Sequence, residues 1–178
     1  MNSYYKLTKW VVFAIGICIL TGLSSCGSSK VLYNPVEVEQ LSRSLSIPIN
    51  NDDPNIPLYA EVSLWLGVPY RYSGNTKAGS DCSGFVSQVY RRVYGKKLER
   101  SSEDQAKKDV HKVGKGGLKT GDLVFFSTSP RSKKIDHVGI FLRDGYFIHA
   151  STSKGVIVSH LNEDYYKRTW KKGGRVKL

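Results

Sequence analysis

The sequence predicts an α+β domain, with N-terminal helices packed on a central antiparallel sheet. Three observations lead there. In the first half of the domain, apolar residues fall at helical spacing: Leu58, Val62, Trp65 and Leu66, then Phe85, Val86, Val89, Tyr90 and Val93. Beyond Gly114 the pattern changes to short runs rich in β-branched and aromatic residues. At 178 residues, 40% of them hydrophobic, the chain can bury one core and carry short extras, but not two large domains.

The elements follow in order. Lys6 and Lys9 precede an apolar run, Trp10 to Leu20, which is too short to cross a bilayer comfortably and reads as an export signal over residues 1–25. Leu23-Ser24-Ser25-Cys26 resembles the lipobox of bacterial lipoproteins, an aliphatic and two small residues before the cysteine that is acylated. That resemblance implies cleavage before Cys26, a lipid such as palmitate on it, and anchoring to a membrane. Gly27 stands where an inner-membrane retention acid would be, which favours the outer membrane, facing the periplasm. Residues 26–53, rich in Ser, Asn and Pro, read as a tether with room for a short helix between Asn34 and Ile47. The domain is set at residues 54–178.

Its first helix stops at Gly67 and Pro69. The second, from Cys82 to Tyr94, presents one broad apolar face and ends at Gly95. A third starts at Ser101 or Ser102, where Ser102 and Gln105 have capping-box spacing, and fades before His111. Strands are expected over Asp122 to Phe126, His137 to Leu142, Tyr146 to Ala150 and Val156 to Ser159, with Arg175 to Leu178 a further candidate. Asn162 to Trp170 fits a short helix whose aromatic residues suggest packing rather than chemistry.

Lysine and arginine number 27 against 15 acids, a formal charge of +12. Such a surface attracts nucleic acid, anionic membrane or acidic cell-wall polymer. Export and the absence of a reading motif argue against nucleic acid. Cys18 leaves with the signal and Cys26 carries lipid, so Cys82 has no intramolecular disulfide partner. In an oxidising compartment such a thiol is either sealed in a core or kept for chemistry.

Cys82 lies in Asp81-Cys82-Ser83-Gly84-Phe85, at the mouth of the second helix. Free N–H groups and the helix dipole favour a thiolate there, so the thiol is expected to ionise more readily than in water. Asp81 is the natural cap, and Gly84 is expected to leave space beside the sulfur for a substrate backbone. A lone cysteine is more often inert, so chemistry requires a base. His137 and His149 stand on strands joined by Arg143-Asp144-Gly145. A three-residue loop pairs Leu142 with Tyr146 and Gly139 with His149, placing both imidazoles on one face; a two-residue loop would separate them. One ring can then abstract the thiol proton while the other fixes its tautomer. A cysteine and two histidines could also hold zinc, but the close ligand spacing of such sites is missing, and no metal or organic cofactor is called for.

Six stretches together carry a resemblance: Gly67-Val68-Pro69-Tyr70, Asp81-Cys82-Ser83-Gly84-Phe85, Arg100-Ser101-Ser102, Thr120-Gly121-Asp122-Leu123, His137-Val138-Gly139-Ile140 and His149-Ala150-Ser151-Thr152. In this order they are similar to the NlpC-type cell-wall cysteine peptidases, a papain-like group, and particularly to its lipoprotein murein endopeptidases. The resemblance implies Cys82 as nucleophile, His137 as general base and then acid, and His149 as the residue that orients it. It further implies that the Tyr70 hydroxyl lies beside the reacting carbonyl, and that Asp81 and Ser83 help to hold the substrate. The chain departs from the pattern at Ser73, where relatives have glycine, and at Glu99, where they often have proline.

The expected function is therefore hydrolysis of stem-peptide or crosslink amide bonds in peptidoglycan through a cysteine acyl-enzyme. The run Ala150-Ser151-Thr152-Ser153, followed by Gly155-Val156-Ile157, looks like lipoproteins that open crosslinks. The alternatives are an acyltransferase using the same groups and a non-catalytic wall-binding lipoprotein; protein partners are not legible.

Overall fold

The computed structural model describes residues 33–129 and 131–177. The expected export signal and Cys26, the expected lipidation residue, lie outside the described residues. No described helix is long and apolar enough to cross a membrane.

Helix α1 (Pro35–Leu45) starts with Asn34, whose side chain accepts the Val36 N–H at 3.0 Å, and has proline in its first turn. Val38, Leu45, Ile47 and Ile49 are buried in the main core. Residues 38–49 therefore belong to the packed domain, which corrects the tether drawn to Asp53. Four apolar residues spread over a polar stretch show no sustained period, so only the tertiary packing reveals them. Helix α2 (Ile56–Ser63) follows, and Trp65 is buried in the turns after it.

Helix α3 (Cys82–Tyr94) has the expected bounds. Asp81 caps it by accepting the Gly84 N–H at 2.6 Å, and Gly95 ends it at φ 63°. The short α4 (Ser102–Asp104) continues into a π-helical turn, Gln105–Asp109. Its cap is Ser101, whose Oγ accepts the Asp104 N–H at 3.0 Å, so the expected Ser102–Gln105 box does not form. Gln105 is buried instead, and its amide donates to Ser83 O, Ser87 Oγ and Glu99 O at 3.2, 3.0 and 2.9 Å.

A two-stranded ribbon, β1 (Asn75–Thr76) and β2 (Gly79–Ser80), precedes α3. The main sheet is antiparallel, with order β3-β8-β4-β5-β6-β7. Its strands are β3 (Val110–Val113), β4 (Leu123–Phe126), β5 (His137–Arg143), β6 (Tyr146–Ser151), β7 (Gly155–His160) and β8 (Trp170–Val176). Strand β3 was not expected, and β8 begins five residues early. Lys171, Lys172, Gly173 and Gly174 carry no strand pattern, yet the glycines are what the pairing needs: a Cβ on Gly174 would lie 2.4 Å from Val110 Cγ2.

Phe85, Val86 and Val89 of α3 share one core with Val138, Ile140 and Leu142 of β5 and Ile148 and Ala150 of β6. Each such buried side chain contributes roughly 1.5–3 kcal/mol, enough together to hold the mouth of α3 against β5. The opposite face, with Val124, Phe126, Phe141 and Phe147, is covered by Leu161 and by Tyr166 of helix α5 (Asp164–Thr169). The Thr120–Leu123 stretch is structural. The Tyr90 hydroxyl donates to Gly121 O, and Asp122 receives Arg175 through two contacts, 2.9 and 2.7 Å.

Between β5 and β6 the loop has two residues, Asp144 and Gly145, both left-handed at φ 50° and 86° as a type I′ turn requires. The expected three-residue loop is thus corrected. The register shifts from Arg143↔Tyr146 to Phe141↔Phe147, so a bulge absorbs Leu142. That extra residue restores the parity which a two-residue loop alone would have broken. Both histidines consequently share a face.

Candidate active site

Cys82 is buried at 7% exposure. Its Sγ lies 4.0 Å from the Asp136 carbonyl, and the Val138, Ser83 and Cys82 amides are directed at it. The sulfur therefore sits between the two residues that flank His137. Its partner among the described hydrogen bonds is the Asp136 carbonyl rather than the ring.

His137 Nε2 and His149 Nδ1 are 2.9 Å apart, with the rings nearly perpendicular at 85°. His149 is only 2% exposed. Its Nε2 meets the Tyr166 hydroxyl at 2.9 Å and Ser159 Oγ at 3.3 Å. Phe147 stacks on the His149 ring at 5.1 Å, and Phe126 stands 6.1 Å from His137. Beside them the Asp136 carboxylate is held by the Thr128 N–H and hydroxyl, each at 2.7 Å.

These contacts dictate where the protons must be for His137 to act as a base. With Nε2 committed to His149, Nδ1 is the nitrogen left for the thiol, and it must be unprotonated. His137 then donates from Nε2 to His149 Nδ1, and His149 donates from Nε2 to the hydroxyls of Tyr166 and Ser159. If those hydroxyls donated instead, the chain would reverse and leave a proton on His137 Nδ1.

Burial pushes the Cys82 thiol up to about 11, against the pull of the Val138, Ser83 and Cys82 amides and with a smaller upward push from Asp81. The expected easy ionisation is corrected: the helix mouth does favour the thiolate, but loss of water outweighs it. Burial likewise lowers His137 to about 4, which the Asp136 charge only partly opposes, and holds His149 well below the ordinary histidine range with help from His137. Separate ions are disfavoured here. Passing the proton from sulfur to ring creates both at once, side by side, where each stabilises the other.

The remaining predicted residues surround a cleft of about 340 Å³ that contains Cys82, Tyr70, Asp81 and Ser83. Tyr70 is half-buried beside the sulfur, and its hydroxyl is raised by burial and then by the nearby Cys82 and Asp81 charges. Asp81 is largely occupied. Arg100 donates to both of its oxygens, at 3.0 and 2.6 Å, and to Ser83 Oγ at 3.0 Å. Gly84 does not serve as substrate space, because a Cβ there would fall 2.2 Å from Gly74 O; it lets the preceding loop close on the helix. Ser73 lies on the cleft at φ 58°, a left-handed position that favours glycine, which is the residue the resemblance implies there. A cavity of about 520 Å³ lies farther along α3, beyond Arg100, and includes neither Cys82 nor the histidines. Among the described residues no group of three or more His, Cys, Asp or Glu is placed to hold a metal.

Sequence reasoning missed Tyr166 and Ser159. The Asn162–Trp170 stretch, read as packing alone, supplies a hydroxyl to the imidazole pair; only the crossing of α5 over the sheet reveals it.

A thiol at a helix mouth, with an imidazole pair on the strands packed against it, is an arrangement that can supply a nucleophile and a base. The NlpC/P60 family profile matches residues 67–175, and the chain belongs to that family. It is 40% identical over 128 residues to the murein DD-endopeptidase MepS/murein LD-carboxypeptidase of Escherichia coli K12, covering 72% of this chain and 66% of that protein. It is 36% identical over 160 residues to the probable endopeptidase NlpC of the same strain, covering 90% and 97%. An NlpC/P60 family protein from Bacillus cereus superimposes with a TM-score of 0.64 at 30% identity, over 70% of this chain and 40% of that one. The chain thus spans just under two thirds of the first relative's length.

Proposed function

We propose that this chain is a cysteine-type peptidoglycan hydrolase that opens crosslinks between stem peptides. The observation that carries the reading is the His137–His149 contact at 2.9 Å, with the two neighbours of His137, Asp136 and Val138, directed at the Cys82 sulfur. The likeness to a murein DD-endopeptidase supports the crosslink as target.

Cys82 gives its proton to His137 Nδ1 as the sulfur attacks the carbonyl, forming the C–S bond. The Cys82 N–H and the Tyr70 hydroxyl stabilise the oxyanion. The His137 imidazolium protonates the departing nitrogen, the C–N bond breaks, and a thioester remains on Cys82. Water, deprotonated by His137, attacks the thioester; the C–S bond breaks, His137 returns that proton to sulfur, and the carboxylic acid released loses its own proton to solvent. His149 holds the ring and its tautomer throughout. Asp81 and Ser83, fixed by Arg100, shape the wall against which the acyl side lies. We further place the protein on the periplasmic side of the outer membrane, anchored through Cys26; the Lys6–Leu20 signal pattern and Leu23–Cys26 support this.

Digestion of purified sacculi by the full-length chain, with Cys82→Ser as control and mass analysis of products, tests the reading. Disappearance of crosslinked dimers with intact stems is expected. Shortened stems would reject the crosslink as target. Acyl groups joined to a new amine would indicate a transferase, and wall binding without any product a non-catalytic role.

A further inference from the structure

Opening a crosslink requires a place for the strand that leaves as well as for the strand that is acylated. The Cys82 cleft, with Tyr70 and Asp81, serves the acyl side. His137 and His149 line a different cavity, of about 280 Å³, which shares no lining residue with the Cys82 cleft. The departing nitrogen must be within hydrogen-bond reach of His137 to receive its proton. Of the two cavities this is the one that the His137 ring lines, and it is the side assigned to the leaving strand.

One wall of the cavity is the β6–β7 turn, with Ser151, Ser153 and Lys154. The Ser151 and Ser153 hydroxyls are 3.4 Å apart, within hydrogen-bond reach of each other, so the two are neighbours on this wall. Lys154 is exposed and, among the described residues, is the only lysine or arginine lining the cavity; among them it has no ion-pair or hydrogen-bond partner. The acid on the same cavity, Glu163, is turned to the end of β7, where its Oε1 accepts the His160 N–H at 2.6 Å.

The chemistry of the substrate supplies the complement. In a peptide bond between two D-configured centres, the nitrogen that departs is attached to a stereocentre, which carries a carboxyl group one carbon away. We propose that Lys154, with the Ser151 and Ser153 hydroxyls, forms a subsite for that carboxylate. The chain then selects crosslinks made to a diamino acid with a free carboxylate over those whose carboxyl is amidated or absent. This inference rests on the crosslink-opening reading and adds the identity of the leaving strand to it.

Three synthetic crosslinked dimers that differ only beside the released amine, bearing carboxylate, carboxamide or hydrogen, provide the test. With the full-length chain, kcat/KM is expected to favour the carboxylate by about tenfold over both others, the value of one charge-assisted hydrogen bond at an exposed site. Lys154→Gln should reduce that ratio to within about twofold, whereas Lys154→Arg, which keeps the charge, should preserve most of it. Equal rates on all three dimers in the unmodified chain, or an unchanged ratio in Lys154→Gln, would overturn the subsite while leaving the hydrolase reading intact. Shortened stems in place of separated ones, visible in the same mass spectra, would overturn the crosslink reading and the subsite with it.

Discussion

Replacing Tyr166 by phenylalanine removes one oxygen from the far end of the imidazole chain and leaves its ring packed against Phe126 and Phe147. His149 Nε2 loses its 2.9 Å partner and must rely on Ser159 at 3.3 Å. A neutral hydrogen bond is worth about 1 kcal/mol net, so kcat should fall about fivefold. Ser159→Ala, which removes the longer contact, should cost about twofold. The double variant is different in kind. It leaves a buried N–H without an acceptor, a penalty of about 1–3 kcal/mol that His149 escapes by moving its proton to Nδ1. His149 then donates to His137 Nε2, and the His137 proton is forced onto Nδ1, facing the sulfur. With its base capped, the double variant should turn over crosslinked muropeptides roughly 100-fold more slowly, well beyond the product of the single effects. Steady-state kinetics across pH 5–9 give the answer, with thermal melts to confirm that the fold is intact. A double variant within about threefold of the parent, or losses confined to KM, would refute the tautomer reasoning.

Other outcomes follow from the same geometry. Folded-state values for His137 and His149 lie below that of an unfolded histidine, so the folded chain binds fewer protons than the unfolded one. Stability should be full above about pH 6.5 and fall as pH drops toward 4, by up to roughly 3 kcal/mol from His137, less to the extent that water reaches its half-buried ring. Urea melts at both ends of that window check the loss, and a flat profile would contradict it. Gly139→Ala places a Cβ 2.9 Å from Ile148 O and 3.1 Å from His149 Cβ. It should cost about 1–3 kcal/mol of stability and displace the imidazole pair. Melting together with turnover would detect both effects, and full activity at full stability would show that the strands accommodate the methyl.

Legibility followed how local each signal was. For α3, the apolar period, the Asp81 cap and the Gly95 stop all coincide in one stretch, and its bounds could be read directly. The pairing of His137 with His149 could be read as well, although the route was different: a bulge at Leu142 does the work assigned to a longer loop. Parity along a strand is preserved either way, which is why the inference survived its wrong premise. What stayed hidden depends on chain segments distant in sequence. Tyr166 reaches His149 only because α5 crosses the sheet, and β3 exists only because β8 offers glycines opposite it. Local reasoning about the helix mouth likewise gave the wrong sign for the thiol, since the dipole is written in the sequence near Cys82 but the burial of the sulfur in the folded chain is not. Gly84 was misread for the same reason, its neighbour being the carbonyl of Gly74.

The meeting of the Cys82 thiol with the His137 ring can be measured without any substrate, by following iodoacetamide alkylation of Cys82 against pH in the parent and in His137→Ala. With the ring present, the proton has an internal acceptor, and the rate should be flat through neutral pH, falling only as His137 protonates near its value of about 4. Without the ring, the thiol must ionise to water from its raised value of about 11, so alkylation should be far slower at pH 7 and rise about tenfold per pH unit up to that value. Superimposable profiles in the two proteins would mean that the imidazole does not reach the sulfur.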